Sequence, residues 1–121
     1  FLDQDMRVGL GSDIAGGTVL SIFRAMAEAI QVSKLRGRLT GDGLEPLTME
    51  EVFYMGTLGG GSFFGKVGSF EAGYEFDALV LDESRIPHPQ KLTVRERLER
   101  FLYLSGEDWI LHKYVQGRKL F

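Results

Sequence analysis

In the stretch GLGSDIAGG, residues 9–17, one carboxylate, Asp13, follows a short apolar run and precedes a glycine-rich bend that opens a helical pattern. An acidic residue just past the carboxyl end of a parallel strand occupies the edge where barrels and open α/β sheets place ligand-binding and catalytic groups. The chemistry open to Asp13 there is that of a lone carboxylate in a site. A structural part fits the same position: capping the following helix or stabilising the turn. Position and spacing leave both open.

Other stretches invite a chemical reading and fail on context. GGSFFGK, Gly60 to Lys66, has the glycine and lysine spacing of a phosphate loop, but Val67 stands where a magnesium-binding hydroxyl is required and no strand precedes it. Gly9 and Gly11 supply half of a dinucleotide fingerprint, with Ile14 where a third small residue should pack. His88, between two prolines, and His112, in an expected terminal strand, have no histidine partner at ligand spacing. Solvent or a local hydrogen bond is the expected fate of both. Asp3, Asp5, Glu28 and the Glu50-Glu51 pair read as solvated surface.

The elements that must hold Asp13 come next. MRVGL, residues 6–10, reads as a short buried parallel strand bounded by a glycine turn. From Val19 to Leu35 apolar residues recur at helical spacing, with Leu20, Phe23, Ala27 and Ile30 on one face and Lys34, Arg36 and Gly37 as stop signals. Thr48 and Glu51 form a capping-box pattern. The helix they start is expected to turn Val52, Phe53, Met55 and Leu58 inward until the glycines at 59–61 weaken it. FDALVLD, residues 76–82, reads as a strand, and RIPHPQ as a loop. Thr93 and Glu96 repeat the capping box ahead of the face Val94, Leu98, Phe101 and Leu102. The tail WILHKYVQGRKLF reads as two strands turning at Gln116-Gly117.

The order is β, α, α, β, α, β, β. One strand and one helix cannot close a parallel sheet, so the first unit calls for neighbours beyond those in this sequence.

Charge narrows the partners. Lysine and arginine total 14 against 17 acidic residues, and no basic run interleaves with aromatics, so nucleic acid is a poor expectation. No apolar run approaches the roughly 20 residues that span a bilayer, and FLDQDMR lacks a signal-like core. Neither a membrane nor export is therefore expected, and the cytoplasm is the expected compartment. The lack of cysteine agrees and removes disulfides, thiolate zinc sites and cysteine nucleophiles. A chain beginning at Phe1 is read as a processed or trimmed product, or part of something longer.

The residues also carry a resemblance. VGLGSDIAGG resembles the final barrel strand of the amidohydrolase superfamily, and its GSDIAGG form is most similar to the guanine deaminases. The likeness continues through LTMEEVFYMGTLGGGSFFGKVGSFEAGYEFDALVLDE and the tail TVRERLERFLYLSGEDWILHKYVQGRKLF, covering virtually the whole chain.

The fold it implies is α/β: the C-terminal part of a metal-dependent (β/α)8 barrel plus strands of a small β-sandwich. Residues 1–75 would hold the last barrel strand and the C-terminal barrel helices; residues 76–121 would hold sandwich strands with one intervening helix. It implies that Asp13 is both the metal-binding and the catalytic aspartate, ligating zinc and handling a proton of the hydrolytic water beside an upstream glutamate. The implied reaction is hydrolytic deamination of guanine to xanthine and ammonia, with the missing N-terminal part of the same enzyme as partner and a homodimer as the common assembly. The metal histidines of the family are absent here, so the isolated chain is expected to be inactive. The alternative is a noncatalytic binding or interaction module derived from an amidohydrolase.

Overall fold

Among the described residues, Thr48 and Thr93 start two of the three α-helices, each through a reciprocal pair of hydrogen bonds. The computed structural model describes residues 6–17, 19–85, 87–104 and 106–121. In helix α2 (Met49–Tyr54) the Thr48 backbone N–H donates to Glu51 Oε2 at 2.7 Å, and the Glu51 N–H donates to Thr48 Oγ1 at 3.2 Å. In helix α3 (Val94–Leu104) Thr93 and Glu96 repeat the exchange at 2.7 and 3.3 Å. Two of the orphan N–H groups at each helix start are satisfied in this way.

Helix α1 (Ile22–Thr40) starts and ends elsewhere than its pattern indicated. Ser21 is its N-cap, and Leu20, expected on the inner face, precedes the helix and is exposed. Gly37 does not stop it. The chain stays helical until Gly41, whose φ of 61° is the left-handed conformation that terminates helices, and whose N–H reaches the Gly37 carbonyl at 3.1 Å.

The inward face of α1 carries Met26, Ala27, Ile30 and Ser33. Met26 and Ile30 pack with Val52, Met55 and Leu102 as the core cluster, against which Val8, Leu10, Phe23 and Leu98 lie half-buried. Each such aliphatic side chain contributes about 1.5–3 kcal/mol by leaving water. Phe101 joins α3 to this centre, meeting Phe23 edge-on at 5.2 Å and Trp109 at 6.0 Å. Val94 does not belong to that face; it is 75% exposed.

After α2 the glycines at 59–61 do not simply weaken the helix. The backbone widens into a π turn, Met55–Gly59, and tightens into a 3-10 turn, Ser62–Phe64. GGSFFGK therefore lies at the trailing end of a helix, the wrong place for a phosphate cradle.

Strands β1 (Ala78–Leu81), β2 (Ile110–Val115) and β3 (Arg118–Lys119) form an antiparallel sheet in that order. Ala78 faces Tyr114, Val80 faces His112, and the register slips between Val80 and Leu81. Tyr114 faces Lys119 across the Gln116-Gly117 turn. The two turn residues have φ of 50° and 74°, as a tight hairpin requires.

Residues 6–10 are the departure from the expected topology. They pair with no described strand, and the Leu10 N–H donates to the Met55 carbonyl at 3.1 Å. No helix among the described residues is long and apolar enough to cross a membrane.

Candidate active site

Asp13 is carried by a segment anchored at one end and bent sharply at the other. Val8 and Leu10 lie against the core, and the Leu10 bond to Met55 ties the segment to the π turn. Three residues later the chain reverses. Asp13 and Ala15 both have positive φ, 48° and 79°, and the Asp13 carbonyl accepts from the N–H of Gly16 at 2.8 Å and from that of Gly17. Aspartate tolerates this region because its short polar side chain fits there; alanine does so less readily. Strained non-glycine residues of this kind cluster at functional sites.

The glycines after Asp13 have steric reasons to be glycines. A Cβ on Gly17 would lie 1.9 Å from the Ser12 carbonyl oxygen, and a Cβ on Gly16 would lie 2.6 Å from the Asp13 carboxylate itself. At Gly17 the obstacle is backbone and cannot move, whereas at Gly16 it is the free end of an exposed side chain, which a Cβ would turn aside.

The carboxylate takes no part in holding the turn. Its residue is exposed, and among the described residues the turn is closed by the Asp13 backbone carbonyl, with no hydrogen bond or ion pair to the side chain. Nor does it cap α1, which Ser21 does. Both structural parts open to the side chain are thus filled by other groups, and two oxygens remain for a ligand. Asp13 suits a metal as one hard oxygen donor of a larger set. Among the described residues no three histidine, cysteine or acidic side chains stand together to complete one.

The other candidates are scattered. His88 Nδ1 is close to the Gln90 carbonyl, the local contact expected of it. His112 differs: its Nδ1 is buried on β2 and has no hydrogen-bond partner among the described residues. Strand alternation turns it to the same side as half-buried Ile110 and Tyr114. Asp3 and Asp5 lie outside the described residues. Glu50 and Glu51 are more than solvated surface, since Glu50 pairs with Arg95 and Glu51 closes the capping box. Two shallow hollows, one beside Leu92 and Tyr103 and one beside Phe70 and Phe76, exclude the Asp13 turn.

The sequence reading left the close-approach glycines out. A Cβ on Gly59 would lie 2.4 Å from the Val8 carbonyl oxygen, and one on Gly9 would lie 2.8 Å from the Gly60 Cα. The run of three glycines is their only sequence signal, and helix propensity alone misreads it as fraying.

A sequence model of the amidohydrolase family matches residues 1–120. The chain belongs to the amidohydrolase family. Several relatives of this amidohydrolase chain are guanine deaminases. That of Homo sapiens is 32% identical over 130 residues, covering 98% of this chain and 28% of that protein. That of Dictyostelium discoideum is 31% identical over 126 residues, again covering 98% and 28%.

Among solved structures, the guanine deaminase from C. acetobutylicum, with guanine bound in its active site, superposes with a TM-score of 0.91 at 48% identity over 99% of this chain and 28% of that one. The E. coli guanine deaminase gives 0.81 at 28% identity, covering 98% and 28%. The amidohydrolase chain thus spans 28% of the length of these relatives. Its fold is theirs over that span: α/β, with barrel-type helices and a small antiparallel sheet.

Proposed function

We propose that this chain is the C-terminal part of a zinc-dependent guanine deaminase that hydrolyses guanine to xanthine and ammonia. The observation that carries the reading is the 48% identity and TM-score of 0.91 to the guanine-bound C. acetobutylicum enzyme. On this reading residues 1–75 belong to the barrel and residues 76–121 to the small sandwich, and the enzyme works in the cytoplasm.

In the proposed site Asp13 is one metal ligand and a proton carrier. The zinc, when bound, makes a water acidic enough to supply a nucleophile at neutral pH. The exposed Asp13 carboxylate then accepts the proton that this water must lose and returns it to the departing nitrogen. A carbon–oxygen bond forms at the amine-bearing ring carbon, the carbon–nitrogen bond breaks, and ammonia leaves. The folded-back turn supports the role, since it leaves the Asp13 carboxylate exposed beside Gly16, and strained residues of this kind cluster at functional sites.

Expression of the full-length protein and assay of ammonia release from guanine tests the proposal. Turnover of guanine is expected. Zinc in the protein without release of ammonia from guanine would overturn the substrate assignment. The 121-residue chain alone is expected to bind no stoichiometric zinc and to deaminate nothing, since catalytic zinc needs about three protein ligands.

A further inference from the structure

The approach of residues 8–10 to the π turn is closer than any side chain permits. A Cβ would meet backbone across the seam at two places: 2.4 Å from the Val8 oxygen at Gly59, and 2.8 Å from the Gly60 Cα at Gly9. Backbone obstacles cannot rotate aside as a long side chain would, so a substitution must push the two segments apart. The Met55 carbonyl sits in the same seam, accepting both the Gly60 N–H of the π turn and the Leu10 N–H. π turns of this kind recur at functional sites, where they reshape a helix locally. Asp13 lies three residues beyond Leu10, with only Gly11 and Ser12 between.

We infer that Gly59 and Gly9 are positioning residues for Asp13: their close contacts with the facing backbone set how deep residues 8–10 sit, and so where the carboxylate stands. The inference rests on the deaminase reading for the meaning of that position. Both act through the segment that carries the carboxylate. A displacement of the order of 1 Å at a reacting group costs about a hundredfold in rate, which is the scale that a Cβ forced to 2.4 Å would impose.

The test uses the full-length enzyme in a graded pair, Gly9→Ala and Gly59→Ala, with Gly117→Ala as a variant that lowers stability in the hairpin turn. The readouts are kcat and KM for guanine, zinc affinity by chelator competition, and Tm. Both kcat and zinc affinity are expected to fall in that order, with Gly59→Ala losing about a hundredfold in kcat while KM changes far less. Gly117→Ala should lower Tm and leave both readouts unchanged.

A flat series in folded variants overturns the inference, as does a loss that tracks Tm the way Gly117→Ala does. Failure of Gly9→Ala to fold also overturns it, because the seam would then serve folding alone. Should the unsubstituted enzyme bind zinc but release no ammonia from guanine, the deaminase reading falls, and the graded zinc affinities alone decide the seam.

Discussion

The hydroxyl of Ser21 accepts a hydrogen bond from the backbone N–H of Arg24 at 3.4 Å, closing the first turn of α1 eight residues beyond Asp13. The cap and the carboxylate are therefore separable by mutation. Ser21→Ala should cost about 1 kcal/mol of stability and leave kcat of the full-length enzyme intact. Asp13→Asn should do the reverse: an unchanged Tm, since asparagine also tolerates positive φ, and a fall in kcat of about 10²–10⁴, since an amide cannot take the water's proton. Thermal melts and guanine kinetics on the two variants check both. Near-normal turnover in Asp13→Asn would remove the residue from the reaction.

Ser33 is the buried polar residue of the core, and it joins two elements. Its hydroxyl donates to the Ile30 carbonyl at 2.8 Å and accepts the Leu47 N–H at 2.9 Å, fastening the approach to α2 against α1. Ser33→Ala leaves that part-buried N–H without its partner, a loss of about 1 kcal/mol. Urea unfolding should show a lower midpoint with an unchanged slope. A change in slope would instead point to an altered unfolded or native ensemble.

Local chemistry was readable wherever a few neighbouring residues settle it. The two Thr-x-x-Glu patterns gave capping boxes at the stated residues, and Gln116-Gly117 gave the hairpin, because partners three residues apart, or a single positive φ, suffice. Gly37 misled because a helix ends where a residue turns left-handed, which Gly41 does and Gly37 does not. Met26 escaped notice in the expected face although it is 2% exposed, since the true face depends on where α3 packs. Most of all, the depth of the Asp13 segment depends on Gly59 meeting Val8, some fifty residues away in sequence. No local periodicity encodes that distance.

Acid should loosen the α2 and α3 region. Arg97 beside Glu83 and Arg95 beside Glu50 hold those carboxyls below their ordinary value of 4.5, and hydrogen bonds from the Thr93 N–H and hydroxyl do the same for Glu96. Lowered folded values mean that the unfolded chain takes up protons first. The stabilisation is complete above 4.5 and is lost as the pH falls through the lower folded values. Urea midpoints should stay flat from about pH 7 to 5 and then decline. The pairs are exposed, so the effect of each is small and weakened by salt. Glu96→Gln keeps an acceptor for the capping box but cannot titrate, and its midpoint should decline less steeply.

The hairpin turn offers a gain of stability. Gln116 and Gly117 both hold positive φ, and the Gln116 N–H is bonded to Asp77 Oδ1 at 2.8 Å, which ties the turn to the residue before β1. Glutamine has no short side chain with which to ease that conformation, whereas asparagine does and is favoured at this position of such turns. Gln116→Asn should therefore raise Tm, by the few degrees that correspond to roughly 0.5–1 kcal/mol in a small domain. Gly117→Ala should lower it by at least as much, since its φ of 74° strains any side chain. Neither residue approaches the Asp13 turn, so guanine turnover should follow the folded fraction alone. A change in KM in either variant would show that the sheet and the site are coupled.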